Sequence, residues 1–136
     1  MKIIAPVRIT PPQMVSSSIP ETDHPEWSSG TAYTAGERVI VAAEHKVYEA
    51  QSGNVGKAPA TNPDAWLDLG ATNRWRAFDE KVGSVTSALG QIAYTLTPGI
   101  VNALALLNIG NASTVRVRMI DAAEGVVYDR AWSLYE

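Results

Sequence analysis

Between residues 27 and 66 no apolar run exceeds the length of a β-strand. Three such runs, 37–41, 45–50 and 65–69, are each bounded by Gly, Pro, Asn or a charged turn, which reads as three short strands. A unit of about forty residues sits near the lower limit for an independent core, so a few large side chains must exclude most of the water. Trp27, Tyr33, Tyr48 and Trp66 are those side chains. With no cysteine in the chain, this small unit also lacks a covalent staple. Packing, oligomerisation or docking must supply the stability.

The order Trp27, Tyr33, Gly36, Val39, Tyr48-Glu49-Ala50, Pro59 and Trp66 resembles the small β-sheet chitin-binding modules, the type 3 or family 5/12 carbohydrate-binding modules, over residues 26–70. The resemblance implies a small three-stranded β domain. It also makes Trp27, Tyr33, Tyr48 and Trp66 the candidate ligand-binding residues, with a glycan as the ligand. Gln51-Ser52-Gly53 stands where sugar-binding members carry an exposed aromatic after the Tyr-x-Ala element, a departure that keeps the fold and removes a stacking surface. A ring cannot both fill a core and stack on a sugar. The exposure of the four rings therefore separates a structural module from a glycan-binding one, and the lack of a disulfide predicts that Trp27 and Trp66 are substantially buried.

Of 136 residues, 14 are acidic and 11 basic, for a net charge of −3, and the cations are scattered. That excludes an electrostatic footprint for nucleic acid. The absence of cysteine excludes thiolate metal sites, and no cofactor motif is present. No catalytic constellation is recognisable either: there is no nucleophile elbow and no histidine pair at metal-ligand spacing. Paired carboxylates drawn from Asp64, Asp68, Asp79 and Glu80 are the one enzymatic alternative, and the reading is that the chain is not an enzyme. Asp23-His24 and His45 are read as solvated turn residues, Glu37 as an acid closing the turn after Gly36, and 53–63 as a surface loop rather than a phosphate loop. The start, Met1-Lys2 and three apolar residues before Pro6, is too short for a signal peptide, and no run approaches a membrane span. The expectation is a protein made and kept in the cytoplasm or released by lysis, without membrane insertion.

Three regions follow: a docking arm, 1–25; the small β domain, 26–70; and an antiparallel β-sheet or sandwich domain, 71–136. The arm holds five prolines, which forbid a helix and interrupt sheet ladders. Its Ile3, Ile4, Val7, Ile9, Met14, Val15 and Ile19 are too apolar to stay solvated, so the arm is expected to be extended and to contact another chain. In the last region four strands are expected: 91–97, with Ile92, Tyr94 and Leu96 on one face; 100–109, an almost continuously apolar central strand; 114–120, with Val115, Val117 and Met119 inward; and 126–132. The sheet ends without a closing partner, so it is expected to be completed in trans or by further sequence. The fold class is all-β.

Taken together, Ser17-Ser18-Ile19-Pro20-Glu21, the Trp27 module, the segment from Thr72 to Asp79 and the run Pro98-Gly99-Ile100-Val101 resemble structural proteins of tailed bacteriophages and prophages. In these a small carbohydrate-binding-like module is fused to a β-sandwich on the tail or its fibre attachment. The resemblance implies a virion component assembled in the host cytoplasm. Its expected partners are other virion proteins and copies of itself, with a host surface glycan as the alternative ligand.

Overall fold

A computed structural model describes residues 6–134; Ile3 and Ile4 of the arm lie outside them. The protein is all-β. Nine short strands are formed among the described residues, with single-turn 3-10 helices at Pro11–Gln13, Pro59–Thr61 and Arg76–Phe78. The strands are β1 (Met14–Ser17), β2 (Ala32–Tyr33), β3 (Arg38–Val41), β4 (Lys46–Ala50), β5 (Asn54–Val55), β6 (Trp66–Ala71), β7 (Tyr94–Leu96), β8 (Thr114–Asp121) and β9 (Gly125–Ser133). They pair antiparallel as four small sheets: β1-β7, β2-β5, β3-β4-β6 and β8-β9. The chain divides into two compact units, Met1–Asn102 and Ala103–Glu136.

In the first unit, the three apolar runs become the three-stranded sheet. Val39 faces Tyr48 across β3-β4, and Ala50 faces Trp66 across β4-β6. A bulge between Val47 and Tyr48 lets β4 switch register. On the partner strand, Gly70 adopts a φ of +97°, a conformation that favours a residue without Cβ, and its amide donates to Asp68 Oδ1 at 2.7 Å. Tyr33, Val39, Tyr48, Ala50, Ala65 and Trp66 form one buried cluster, against which Trp27 and Val41 pack half-buried. Tyr33 meets Trp66 edge to face, with centroids 5.1 Å apart and planes at 71°. Two of the rings have satisfied polar tips, Trp66 Nε1 donating to the Lys57 carbonyl at 2.8 Å and Tyr33 Oη accepting from the Ser28 amide at 2.7 Å, whereas Trp27 Nε1 is buried without a partner. Glu37 closes the turn after β2 by accepting from the Thr34 amide and hydroxyl. Those bonds, the amide's first, hold its carboxyl below the usual range.

The arm folds back onto its own unit. β1 pairs with β7, and Ser18 extends the contact, its amide donating to the Ala93 carbonyl and its hydroxyl accepting from the Ala93 amide, both at 2.9 Å. Ile19 is buried, and its carbonyl accepts from Arg74 Nε at 2.7 Å. Beyond it, the Glu21 carboxylate accepts from the hydroxyl of the wholly buried Thr72 at 2.8 Å and lies 2.9 Å from His45 Nδ1 and 3.6 Å from Arg74. Asp23 accepts from the Asn73 amide at 2.6 Å. Two sequence expectations change accordingly. His45 is not a solvated turn residue but is half-buried, its ring stacked on Trp75 at 4.2 Å. Asp23 is likewise held in a polar clasp rather than in water. The aromatic row continues from Trp75 to Phe78 and from Phe78 to Tyr94. The Tyr94 hydroxyl donates to the Arg74 carbonyl at 2.8 Å, and burial raises its pKa. Residues 71–97 thus belong with the arm and the module in the first unit.

In the second unit, β8 and β9 form a two-stranded ribbon closed by a turn in which Asp121 accepts from the Ala123 and Glu124 amides. The expected central strand over 100–109 does not form; these residues are irregular and exposed throughout. Two physical reasons account for this. The strands expected beside it are already paired, β7 with β1 and β8 with β9. Its Ala- and Leu-rich composition also carries little of the β-branched character that favours strands.

Trp66→Ala should cost about 3–5 kcal/mol, as expected for emptying a fully buried aromatic site, and urea unfolding followed by the remaining tryptophan fluorescence measures it. Thr72→Val should cost about 1–3 kcal/mol, because it removes a donor from a nearly buried carboxylate. In that variant, limited proteolysis should cut within the arm at a lower protease concentration than in the parent.

Candidate functional site

The four residues expected to hold a glycan come together, but as a core. Tyr33 is 8% exposed, Tyr48 4% and Trp66 2%, and Trp27 is half-buried against them. Rings so enclosed present no flat face to a pyranose. What the module does present is a shallow concave face of about 370 Å³, with Glu44, Lys46, Gln51 and Asp68 around the edges of Tyr48 and Trp66. β4 and β6 position these groups: Lys46 and Tyr48 alternate onto one side of β4, and Tyr48 faces Asp68 across the ladder.

The polar groups on this face are already engaged with one another. Lys46 Nζ donates to Asp68 Oδ2 at 2.6 Å, and the Tyr48 hydroxyl donates to Glu44 Oε2 at 2.6 Å. Burial, then the hydrogen bond to Glu44, raises the Tyr48 phenol well above its ordinary value, so it stays protonated. Burial pushes the Asp68 carboxyl up, but the Lys46 ammonium and the Gly70 amide together outweigh it and hold the carboxyl below the usual range. Such a face offers hydrogen-bonding groups that are already paired. Of the four carboxylates weighed for paired acid chemistry, Asp68 is held by Lys46, and Asp79 accepts from the Ser84 hydroxyl at 2.7 Å. Among the described residues no group of three or more His, Cys, Asp or Glu side chains is arranged to hold a metal ion.

The second candidate is a surface rather than a cleft. Among the described residues of the second unit none is buried. Ten of its large apolar side chains, from Leu104 to Leu134, are 38–83% exposed. Exposed apolar groups scattered singly are ordinary, but this density in one short segment makes it a candidate interaction surface. The hydrophobic alternation of 114–120 is visible in the sequence; that Val115, Val117 and Met119 end only half-buried is not, because coverage depends on which strands pair. The engaged Lys46–Asp68 and Tyr48–Glu44 pairs went unnoticed for a related reason. Two-residue periodicity on β4 was there to read, but Asp68 joins it only through the register of β6.

A group whose folded pKa is depressed stabilises the fold above its unfolded pKa and loses that contribution as pH falls through the folded value. Asp68 is such a group, though nearly half exposed, so its share is small. Asp68→Asn should therefore flatten the acid limb of the stability–pH curve below about pH 4, the ordinary carboxylate range, and leave stability near pH 7 within about 1 kcal/mol of the parent. Denaturant midpoints from pH 3 to 7 give the comparison.

Comparison with protein-family models, with curated proteins and with solved structures finds no match, so the functional reading rests on the geometry of the chain itself.

Proposed function

We propose that this chain is a non-enzymatic structural component of a tailed-bacteriophage virion, in the tail, baseplate or fibre-attachment region, where it docks on neighbouring virion proteins and on copies of itself after assembly in the host cytoplasm. The observation that carries the reading is the second unit, a β-ribbon and an apolar segment without a buried residue among those described. A two-stranded hairpin is marginal in water and needs a further layer. A unit of this kind is at home in an assembly that supplies that layer. The first unit agrees with a passive role, since the module's aromatic residues are spent on its own core and Lys46 with Asp68 and Tyr48 with Glu44 engage one another. Among the described residues no helix is long and apolar enough to cross a membrane.

A glycan-binding role in host adsorption is the second reading, and the concave face edged by Glu44, Gln51 and Asp68 is what favours it, through hydrogen bonds to sugar hydroxyls rather than stacking. It ranks below assembly because those groups are already partnered.

The test is co-purification. When the full chain is produced during phage growth and followed by immunoblot, it should band with intact particles or tails in a density gradient at fixed stoichiometry. A variant lacking residues 103–134 should remain folded by tryptophan fluorescence and be left in the soluble fraction. Absence of the full chain from particles overturns the proposal. Retention of the full chain on insoluble polysaccharide, lost in Glu44→Gln, would reverse the order of the two readings.

A further inference from the structure

Three cations of the first unit are answered by a carboxylate: Arg38 bonds Glu49, Lys46 bonds Asp68, and Arg74 faces Glu21. Arg76 and Lys81 are not. Among the described residues neither lies within ion-pair distance of an acidic group, and both line one shallow cleft of about 320 Å³. The cleft runs between residues 69–71 of β6 and the loop 79–85, with Arg76 of the last 3-10 turn beside them. Arg8 and Lys57, which are also unpaired, lie outside it.

β6 brings the two cations together. Arg76 Nε donates to the Ala71 carbonyl at 3.2 Å, which fixes the half-buried guanidinium and leaves its two terminal nitrogens without a partner among the described residues. One position earlier, Lys81 lays its ammonium over Gly70, where a Cβ would stand only 3.3 Å from Nζ. The absence of a side chain at Gly70 opens the space that the ammonium occupies. Two cations thus lie over successive residues of one strand. Asp68 feels the Lys81 charge through space, but its oxygens are taken by Lys46 and by the Gly70 amide. Asp79, on the same cleft, is spent on its own loop, accepting from the Ser84 hydroxyl at 2.7 Å and from the Lys81 amide at 3.0 Å. Two cations against one committed carboxylate leave the cleft positive.

The donors select the ligand. A guanidinium tied down through Nε still presents N–H groups in a rigid fork that matches an oxyanion, and a lysine ammonium adds a mobile point charge. A tetrahedral oxyanion can give two oxygens to the fork and a third to the ammonium, whereas a carboxylate has no third oxygen to give. We propose that Arg76 and Lys81 form a binding site for a phosphate-type oxyanion, seated between β6 and the loop 79–85. The ion supplies the negative charge that the chain itself does not place there.

The full chain, isotope-labelled and titrated with inorganic phosphate at constant ionic strength, tests the site by amide NMR. Saturable shifts should be confined to 69–71 and 76–85, with a Kd of about 1 mM, the scale of a few exposed charge-assisted bonds. Lys81→Gln should weaken binding about ten-fold, the effect of losing one bond to a charged group. Arg76→Lys, which keeps the charge and loses the fork, should weaken it less. Lys81 is exposed, so its variant decides the matter even if Arg76→Lys disturbs the fold. Lys57→Gln should change nothing, although it removes the same charge from the protein. Acetate should bind more weakly than phosphate. Glycerol 3-phosphate separates two sources of the same chemistry: tighter binding than inorganic phosphate assigns an ester-borne phosphate with its stem against Leu69 and Val85, and weaker binding assigns the free ion. Shifts that never saturate, shifts centred outside the cleft, equal weakening by Lys57→Gln, or acetate bound as tightly as phosphate overturns the site.

Discussion

Everything in the first unit hangs on the enclosure of Trp66. Its indole is edge-on to Tyr33, its Nε1 is satisfied by the Lys57 carbonyl, and its strand carries Ala50 opposite. A cluster of six buried residues is small for a protein without a disulfide, so each ring must exclude water on nearly every side. That requirement decides the use of the module. Aromatic residues needed to close a core of this size are unavailable as a platform, and the position that follows Tyr48-Glu49-Ala50 supplies Gln51 instead of another ring.

The module is enlarged by a polar clasp rather than by more apolar volume. Glu21 is nearly buried, and a carboxylate there is tolerable only because Thr72, His45 and Arg74 face it. Arg74 also caps the Ile19 carbonyl, so one side chain ties both the charge and the backbone of the arm. The clasp turns a proline-rich segment into part of the fold, and Ile19 becomes one of the most enclosed residues in the protein. The clasp thereby engages Ile19, Glu21 and Asp23 within the chain itself.

Short-range pattern made the module legible. The runs at 37–41, 45–50 and 65–69 became β3, β4 and β6, and the alternation of Val115, Val117 and Met119 became one face of β8. Long-range pairing was not legible. Nothing local in Met14-Val15-Ser16-Ser17 announces a partner eighty residues away in Tyr94-Thr95-Leu96, and once that pair forms, 100–109 has no neighbour to become a central strand against. Apolar content predicted burial there, but burial requires a second surface. His45 failed for a similar reason: its partners, Glu21 and Trp75, lie 24 and 30 positions away, and a lone histidine between Glu44 and Lys46 reads as solvated. The candidate residues Trp27, Tyr33, Tyr48 and Trp66 were correctly grouped as neighbours, because large rings in a minimal domain have only one interior to share.

The contrast between the two units is itself an argument about assembly. In the first, the clasp is satisfied and the module's rings are enclosed, although the indole nitrogens of Trp27 and Trp75 find no partner and Val82, Leu89 and Ile100 stand fully exposed. In the second, Arg116 and Arg118 gather on Asp129, Val115, Val117 and Met119 on the other side are half-buried, and Ile120, Val126 and Val127 stay exposed. A sequence selected simply for solubility would place charge on that face, as natural edge strands and exposed sheets commonly do. Here the charges are gathered on the opposite side, with Arg130 as the sole exception, and that one is flanked by register neighbours Tyr128 and Trp132 that suit a guanidinium stacked against rings. Segregation of this kind lowers the solubility of an isolated chain.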